Sequence, residues 1–213
     1  MYIPSSNAEH RPEVMCDFIE AHPLGALITA SADGLFETHL PLLVDRGRGA
    51  HGVLEGHLAR ANPHHRQASV TSEALVIFTG PEAYVTPAWY ASKAEHGKVV
   101  PTWNYVAVHA YGTLRFVEDG AWLHAHLERL TRRHEDGRAE PWSIADAPAE
   151  YIAGLERAVV GMELTITRLE GKWKMSQNRP AADIDGVVRG LGESPHAGER
   201  EVAAIVSARR PAV

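Results

Sequence analysis

Three strand-like segments, Leu24 to Ala30, Leu35 to Val44 and His51 to Leu58, follow one another with only turns between them. Ala32-Asp33-Gly34 supplies the first turn, because Asp-Gly tolerates positive φ. Asp45-Arg46-Gly47-Arg48-Gly49 supplies the second. Parallel neighbours need a crossover of about a dozen residues or more, and no such stretch is present here. These segments are therefore expected to pair as hairpins in an antiparallel sheet. Pro41 cannot donate to a ladder, so it marks an edge, a bulge or a bend.

The rest of the chain extends this pattern. Arg11 to Ala21 is expected to be a helix: Pro12 suits its first turn, and Val14, Met15, Phe18 and Ile19 form one apolar face. His22-Pro23 ends it. Ala59 to Ser69 is a polar bend or short helix after Asn62-Pro63. Leu75 to Phe78 is an apolar strand closed by Gly80-Pro81, and Ala83 to Thr86 continues the sheet. Trp89 to Val99 is expected to be an exposed loop. Trp103 to Val117 is the longest strand predicted. Ala121 to His134 is a helix with Leu123, Leu127 and Leu130 on one side and Arg129, Arg132 and Arg133 mostly on the other. Glu150 to Val159 is a further helix. Met162, Leu164 and Ile166 alternate with Glu163, Thr165 and Thr167, as in a half-buried strand. Two short helices follow near Asp183 to Leu191 and Gly198 to Ala208. The predicted fold is mainly β within an α+β class: an antiparallel split β-barrel with peripheral helices. A single domain over residues 1–213 is expected, with a helical tail from about residue 180.

Composition narrows the function classes. The chain has 213 residues, 45% apolar and 23% charged, which is ordinary for a soluble globular protein. A net charge of −6 argues against broad electrostatic capture of DNA. One cysteine, Cys16, excludes an intrachain disulfide and fits a reducing compartment. No segment approaches the ~18 apolar residues of a membrane helix, and Met1 to Ser6 lacks the form of a signal peptide. A cytoplasmic location is expected.

Several familiar site patterns are missing. There is no glycine fingerprint of a dinucleotide fold, no P-loop lysine pattern and no Gly-x-Ser-x-Gly elbow. Thirteen histidines raise the question of a metal. His124 and His126 point roughly 200° apart on a helix. His51 and His57 would lie about 20 Å apart on a strand. Neither pair has metal-ligand spacing, and no metal site is expected.

Four stretches carry the chemistry. Pro101-Thr102-Trp103-Asn104-Tyr105, running on to His109 and Tyr111, mixes flat rings with hydrogen-bonding tips, which suits a flat polar ligand. The alternative is a polar strand face turned to solvent or to a second subunit. Gly56-His57-Leu58-Ala59-Arg60-Ala61-Asn62-Pro63 brings a guanidinium and side-chain donors to the start of a helical turn, good chemistry for a phosphate. An Asn N-cap with a solvent-facing arginine explains it as well. Thr38-His39-Leu40-Pro41 lies on a neighbouring strand whose proline frees main-chain groups. Trp173-Lys174-Met175-Ser176-Gln177-Asn178-Arg179 is dense in donors beside a Trp and a Met.

Together with Met1-Tyr2-Ile3-Pro4 and Gly80-Pro81-Glu82-Ala83-Tyr84-Val85-Thr86-Pro87, these motifs resemble the PaiB family of FMN-binding negative transcriptional regulators. The resemblance runs from residue 1 to about 192. It implies the split-barrel flavin-binding fold shared with pyridoxamine phosphate oxidases, a homodimer, and FMN in a groove between subunits. By this resemblance Thr38, His39, Leu40 and Pro41 fall beside the flavin, and His57, Arg60 and Asn62 near its phosphate. Trp103, Asn104 and Tyr105, with Lys174, Met175, Gln177 and Asn178, close the site, some from the partner subunit. The family implies a regulator or sensor. A flavin-dependent oxidoreductase, with Tyr105 or His109 near the reacting ring, is the alternative. A haem-handling protein on the same barrel is the third reading. Arg129, Arg132, Arg133 and His134 form the one small basic cluster for DNA contact, which a solvated helix face explains equally.

Overall fold

The structure, a computed structural model, describes residues 1–32, 34–68 and 72–210. Asp33 of the expected first turn and Ser69 of the expected bend lie outside the described residues.

A two-residue strand, β1 (Ala8–Glu9), precedes the first helix, α1 (Pro12–Ala21). Pro12 opens α1 as predicted, and Met15, Phe18 and Ile19 are buried along one face. The hairpin β2 (Leu24–Ser31) and β3 (Gly34–Pro41) follows, paired antiparallel from Leu24↔Pro41 to Ser31↔Gly34. Pro41 ends β3, and the chain restarts as β4 (Leu43–Asp45), so the predicted strand through Val44 is broken at Leu42. β5 (Val53–Ala59) pairs with β4 and then α2 (His64–Gln67) turns the chain.

The middle of the chain departs from expectation in two places. β6 (Ala74–Val85) runs unbroken through Gly80-Pro81, where the sequence suggested two strands. A 3₁₀ turn, Pro87–Trp89, leads into the expected loop, which contains a short helix, α3 (Ser92–His96). Ser92 is buried and bonds Asp183 through its amide (2.9 Å) and hydroxyl (2.7 Å), so that stretch is anchored. β7 (Thr102–Val117), α4 (Gly120–Glu135) and α5 (Ala149–Arg157) match prediction closely. β8 (Val159–Lys174) does not: it is as long as β7 and runs past the predicted Met162 to Thr167 to take in Trp173 and Lys174. α6 (Ala181–Gly192) and α7 (Ala197–Ala208) close the described chain.

The sheet order is β3-β2-β6-β7-β8-β5-β4, with β1 added to β8. The recorded pairs β1/β8, β2/β3, β2/β6, β4/β5 and β5/β8 are antiparallel, as the hairpin argument requires. The sheet is open along this path, ending in β3 and β4. No described helix is long and apolar enough to cross a membrane.

The chain divides into two compact units whose boundaries fall within α1, β6, β7 and β8. The first holds Met1–Phe18, Thr79–Val108 and Glu170–Val213. Its core includes Met15, Trp173, Ile184, Leu191 and Val206, and Phe18 packs edge-on against Trp173 at 5.4 Å. The second holds Ile19–Phe78 and His109–Leu169, with Leu27, Leu54, Phe78, Met162 and Leu164 at its centre.

Candidate functional site

The predicted site residues split evenly between the units: Thr38 to Pro41, His57, Arg60 and Asn62 in the second, Trp103 to Tyr105 and Lys174 to Asn178 in the first.

In the second unit the network is built around His64, which is fully buried. Thr29 Oγ1 lies 2.8 Å from His64 Nε2 and Thr38 Oγ1 lies 2.8 Å from His64 Nδ1. Asn62 Nδ2 donates to Thr38 Oγ1 (3.0 Å), while Asn62 Oδ1 accepts from the His64 amide (3.0 Å). Either neutral tautomer satisfies the ring, because each threonine hydroxyl can donate to one imidazole nitrogen or accept from it. Burial holds its pKa below the ordinary histidine value, which keeps the ring neutral. The short turn after Asn62-Pro63 is thus pinned to β2 and β3 by one imidazole.

The other predicted residues of this group are placed as follows. His39 is exposed and pairs with Glu37 at 3.3 Å; Leu40 is in the core; Pro41 is half-buried. Arg60 donates from Nε to the Arg157 carbonyl and from Nη2 to the Val159 carbonyl, both 3.0 Å, and places Nη1 3.5 Å from the exposed Glu118. Its guanidinium ties β5 to the start of β8 and keeps one edge toward solvent.

His57 stands opposite Gly161 in the β5/β8 ladder. Its Nδ1 lies 3.2 Å from Nε2 of the fully buried His126, whose own Nδ1 has no partner among the described residues. An orphaned N–H is the rarer defect, so His126 donates from Nε2 and keeps a bare lone pair on Nδ1. His57 then accepts on Nδ1 and carries its proton on Nε2. Burial depresses both pKa values, that of His126 to about 3, aided by the nearby charges of His57 and Arg129. Trp122 stacks on His126 at 5.1 Å and 10°. That packing requires Gly161, because a Cβ there would lie 2.2 Å from the Trp122 ring. The indole N–H donates to Glu163 (3.0 Å). Glu163 is buried, but bonds from Arg48 and Arg115 outweigh that burial and hold its carboxyl below the usual range.

In the first unit Trp103 is 52% exposed on β7 and meets Tyr84 edge-to-face at 6.0 Å. Asn104 points the other way and is fully buried, exchanging hydrogen bonds with Ser176 (3.1 and 3.3 Å). Tyr105 is half-buried, with the Lys172 ammonium 5.1 Å from its ring centre. Lys174 bonds the Thr102 hydroxyl and the Trp103 carbonyl. Met175 is core, and its amide donates to Gln177 Oε1 (2.7 Å). Ser176 has φ +61°, left-handed for a non-glycine residue. Such conformations persist where the surroundings over-determine them, often at ligand sites. Asn104, Lys174 and Asn178 line one cavity of about 210 Å³ together with Asn7, Ser176 and Arg179.

Sequence reasoning did not find Asn7, His64, Trp122, His126 or Glu163 as members of these networks. Asn62-Pro63-His64 carried a local signal for His64, since an Asn before a turn caps backbone N–H groups. The rest depend on partners far along the chain. No group of three or more potential metal ligands occurs among the described residues.

The basic cluster on α4 is not a patch of one sign. Arg129, Arg132 and Arg133 face Glu20, Glu55 and Asp136 across a groove of about 450 Å³, and Arg129 bonds the buried Glu55 at 2.5 Å.

Known proteins resemble this chain along most of its length. The family described as "Putative FMN-binding domain" matches residues 1–168. An uncharacterized protein of Emericella nidulans is 35% identical over 226 residues, covering 90% of each chain. "Protease synthase and sporulation protein PAI 2" of Bacillus subtilis is 28% identical over 206 residues, covering 97% of this chain and 96% of the relative. Among solved structures, the flavocytochrome Anf3 from Azotobacter vinelandii superposes with a TM-score of 0.57 at 17% identity, over 78% of this chain and 68% of that one. That likeness shows the shared split-barrel architecture. The match over residues 1–168 and the fungal relative give the assignment: the chain belongs to the "Putative FMN-binding domain" family, whose cofactor is FMN.

Proposed function

We propose that this chain is a homodimeric flavin sensor or transcriptional regulator, in which FMN occupancy or redox state is read by a partner molecule. FMN lies between the two copies. The supporting observation is Trp103. An indole left 52% exposed on a strand, edge-on to the 46% exposed Tyr84, is apolar area that gains from covering by a flat ring. The donor set also fits the cofactor: rings for the isoalloxazine, amides and hydroxyls for its polar edge, and cations for its phosphate. FMN supplies reversible electron transfer when bound; the protein residues bind it, orient it and limit its access to water. Thr38, His39 and Pro41 would border the ring, with Leu40 contributing its backbone while its side chain stays in the core. His57 offers its Nε2 proton, and Arg60 and Asn62 the remaining donors, toward the phosphate. Trp103 and Tyr105, with Lys174, Gln177 and Asn178, would complete the enclosure, backed by the buried Asn104 and Met175. The single, buried Cys16 suits a reducing compartment, and we place the protein in the cytoplasm.

A second reading, a flavin-dependent oxidoreductase, is favoured by Lys174. Burial, reinforced by the nearby charges of Lys172 and Arg179, holds that ammonium below its usual pKa, and an anionic substrate would relieve it. The two readings separate in one pair of assays on the FMN-loaded protein. A sequence-specific DNA mobility shift that survives physiological salt, without NAD(P)H oxidation, supports the regulator. Steady NAD(P)H oxidation with no such shift overturns the regulator in favour of the enzyme. Light scattering of the eluting protein tests the dimer: a monomer mass with FMN bound removes the intersubunit groove.

A further inference from the structure

We propose that the cavity framed by Lys174, Arg179 and the Asn104–Ser176 pair is a binding site for a small oxyanion, a phosphoryl or carboxylate group. It shares Asn104, Lys174 and Asn178 with the flavin reading, and it stands whether or not FMN binds.

The lining has two cations, amides and hydroxyls, and no carboxylate. That is uncommon on a protein of net charge −6. Lys174 spends two of its three protons on the Thr102 hydroxyl and the Trp103 carbonyl, both neutral acceptors. The acid beside Arg179 is Asp183, whose two oxygens already accept from the Ser92 amide and hydroxyl. Arg179 itself is braced against the Tyr90 ring, 4.6 Å away. Lys172 adds a third positive charge, with its ammonium donating to the Tyr2 carbonyl (3.1 Å). Asp183 gives Arg179 part of its countercharge, whereas the printed bonds of Lys172 and Lys174 go to neutral acceptors, and the burial that lowers the Lys174 pKa shows what this arrangement costs.

The neutral part of the lining is built rather than incidental. Asn104 is fully buried and Ser176 is 6% exposed, and each bonds the other. The left-handed backbone at Ser176 turns β8 so that Lys174, Ser176 and Asn178 all border the same space. A volume of about 210 Å³ admits an oxyanion and a few carbons. It is smaller than the ~300–1,000 Å³ of a site for a whole drug-sized ligand.

The oxyanion has two sources: the phosphate of FMN, which would then sit here rather than beside His57, Arg60 and Asn62, or a separate small acid. Isothermal titration with inorganic phosphate, on FMN-free and FMN-saturated protein, tests the site and tells them apart. We expect saturable binding to the FMN-free protein, weakened at least tenfold by Lys174→Met and by Ser6→Glu. Ser6 is an exposed lining residue, and a carboxylate there opposes the anion without touching the core. Loss of phosphate binding on FMN saturation identifies the FMN phosphate as the occupant; unchanged binding identifies a separate acid. Absence of saturable binding overturns the proposal, as does binding that Ser6→Glu leaves unchanged in a folded protein. If Lys174→Met fails to fold, Ser6→Glu alone decides. A protein that takes up phosphate but not FMN retains this site and loses the flavin reading.

Discussion

His57 Nδ1 and His126 Nε2 share one hydrogen bond of 3.2 Å, and His126 Nδ1 has no partner among the described residues. Two neutral rings satisfy that arrangement; two charged rings do not. A native histidine with a depressed pKa refuses the proton that the unfolded chain takes up near 6.5. The sign follows: the unfolded state binds more protons below pH 6.5, so stability falls as the pH drops and is unaffected well above it. Each such ring removes up to ~1.4 kcal/mol per pH unit, and His64 adds to the effect in the same direction. Urea unfolding at pH 7.5 and 5.5 should show a loss above ~1 kcal/mol, smaller in His126→Leu. Equal stability at the two values would show that the pair is not held neutral.

Glu163 is the hinge of the ion-pair network, accepting from Arg48, Arg115 and Trp122. Removing one partner of a buried pair costs ~3–5 kcal/mol when both charges are buried. Arg48 and Arg115 are 43% and 59% exposed, and solvent recovers part of that cost. Glu163→Gln is therefore expected to lose about 2–3 kcal/mol by urea titration. A loss under ~1 kcal/mol would mean that the arginines find water as good a partner.

Gly186 on α6 lies against the Trp89 backbone, where an added Cβ would stand 1.8 Å from the carbonyl oxygen. Gly186→Ala should cost at least ~2 kcal/mol by forcing the 3₁₀ turn away. Gly198→Ala on α7 meets nothing within 4 Å and serves as the control, neutral or slightly stabilising. Melting temperatures of the two variants compare them directly.

Trp103→Ala separates binding from folding. The side chain is half in solvent, so stability should change by no more than ~0.5 kcal/mol. FMN affinity should fall by about 0.5–1.5 kcal/mol, the scale of a lost aromatic pair. Fluorescence titration of FMN against the variant reads this; an unchanged dissociation constant takes Trp103 out of the site.

How much of this was legible in the sequence depended on the range of the contacts. The β2/β3 hairpin, β7 and α4 follow from local pattern: Leu123, Leu127 and Leu130 face inward as the 3.6-residue period requires. The continuity of β6 through Gly80-Pro81 was hidden because proline and glycine read locally as a stop. β8 looked short because the alternation read in the sequence stops at Thr167, and its second half goes on through the charged Arg168, Glu170 and Lys172. Lys172 is 8% exposed, and Glu9, across the β1/β8 ladder, is 6% exposed and paired with Arg209. The loop after Trp89 was unreadable as a helix because its anchor, Asp183, lies 91 residues further along. The site showed the same division. The stretches rich in rings and amides stood out, but His126, Trp122 and Glu163 gain their meaning only from neighbours brought in by folding.

Direct titration of the purified, cofactor-free protein with FMN tests the central claim most directly, read by quenching of flavin fluorescence and by the visible absorbance spectrum. Saturable binding of FMN, with riboflavin bound more weakly for want of the phosphate, is the predicted result. Flavin fluorescence that stays unquenched, with no spectral change at saturating protein, would contradict it.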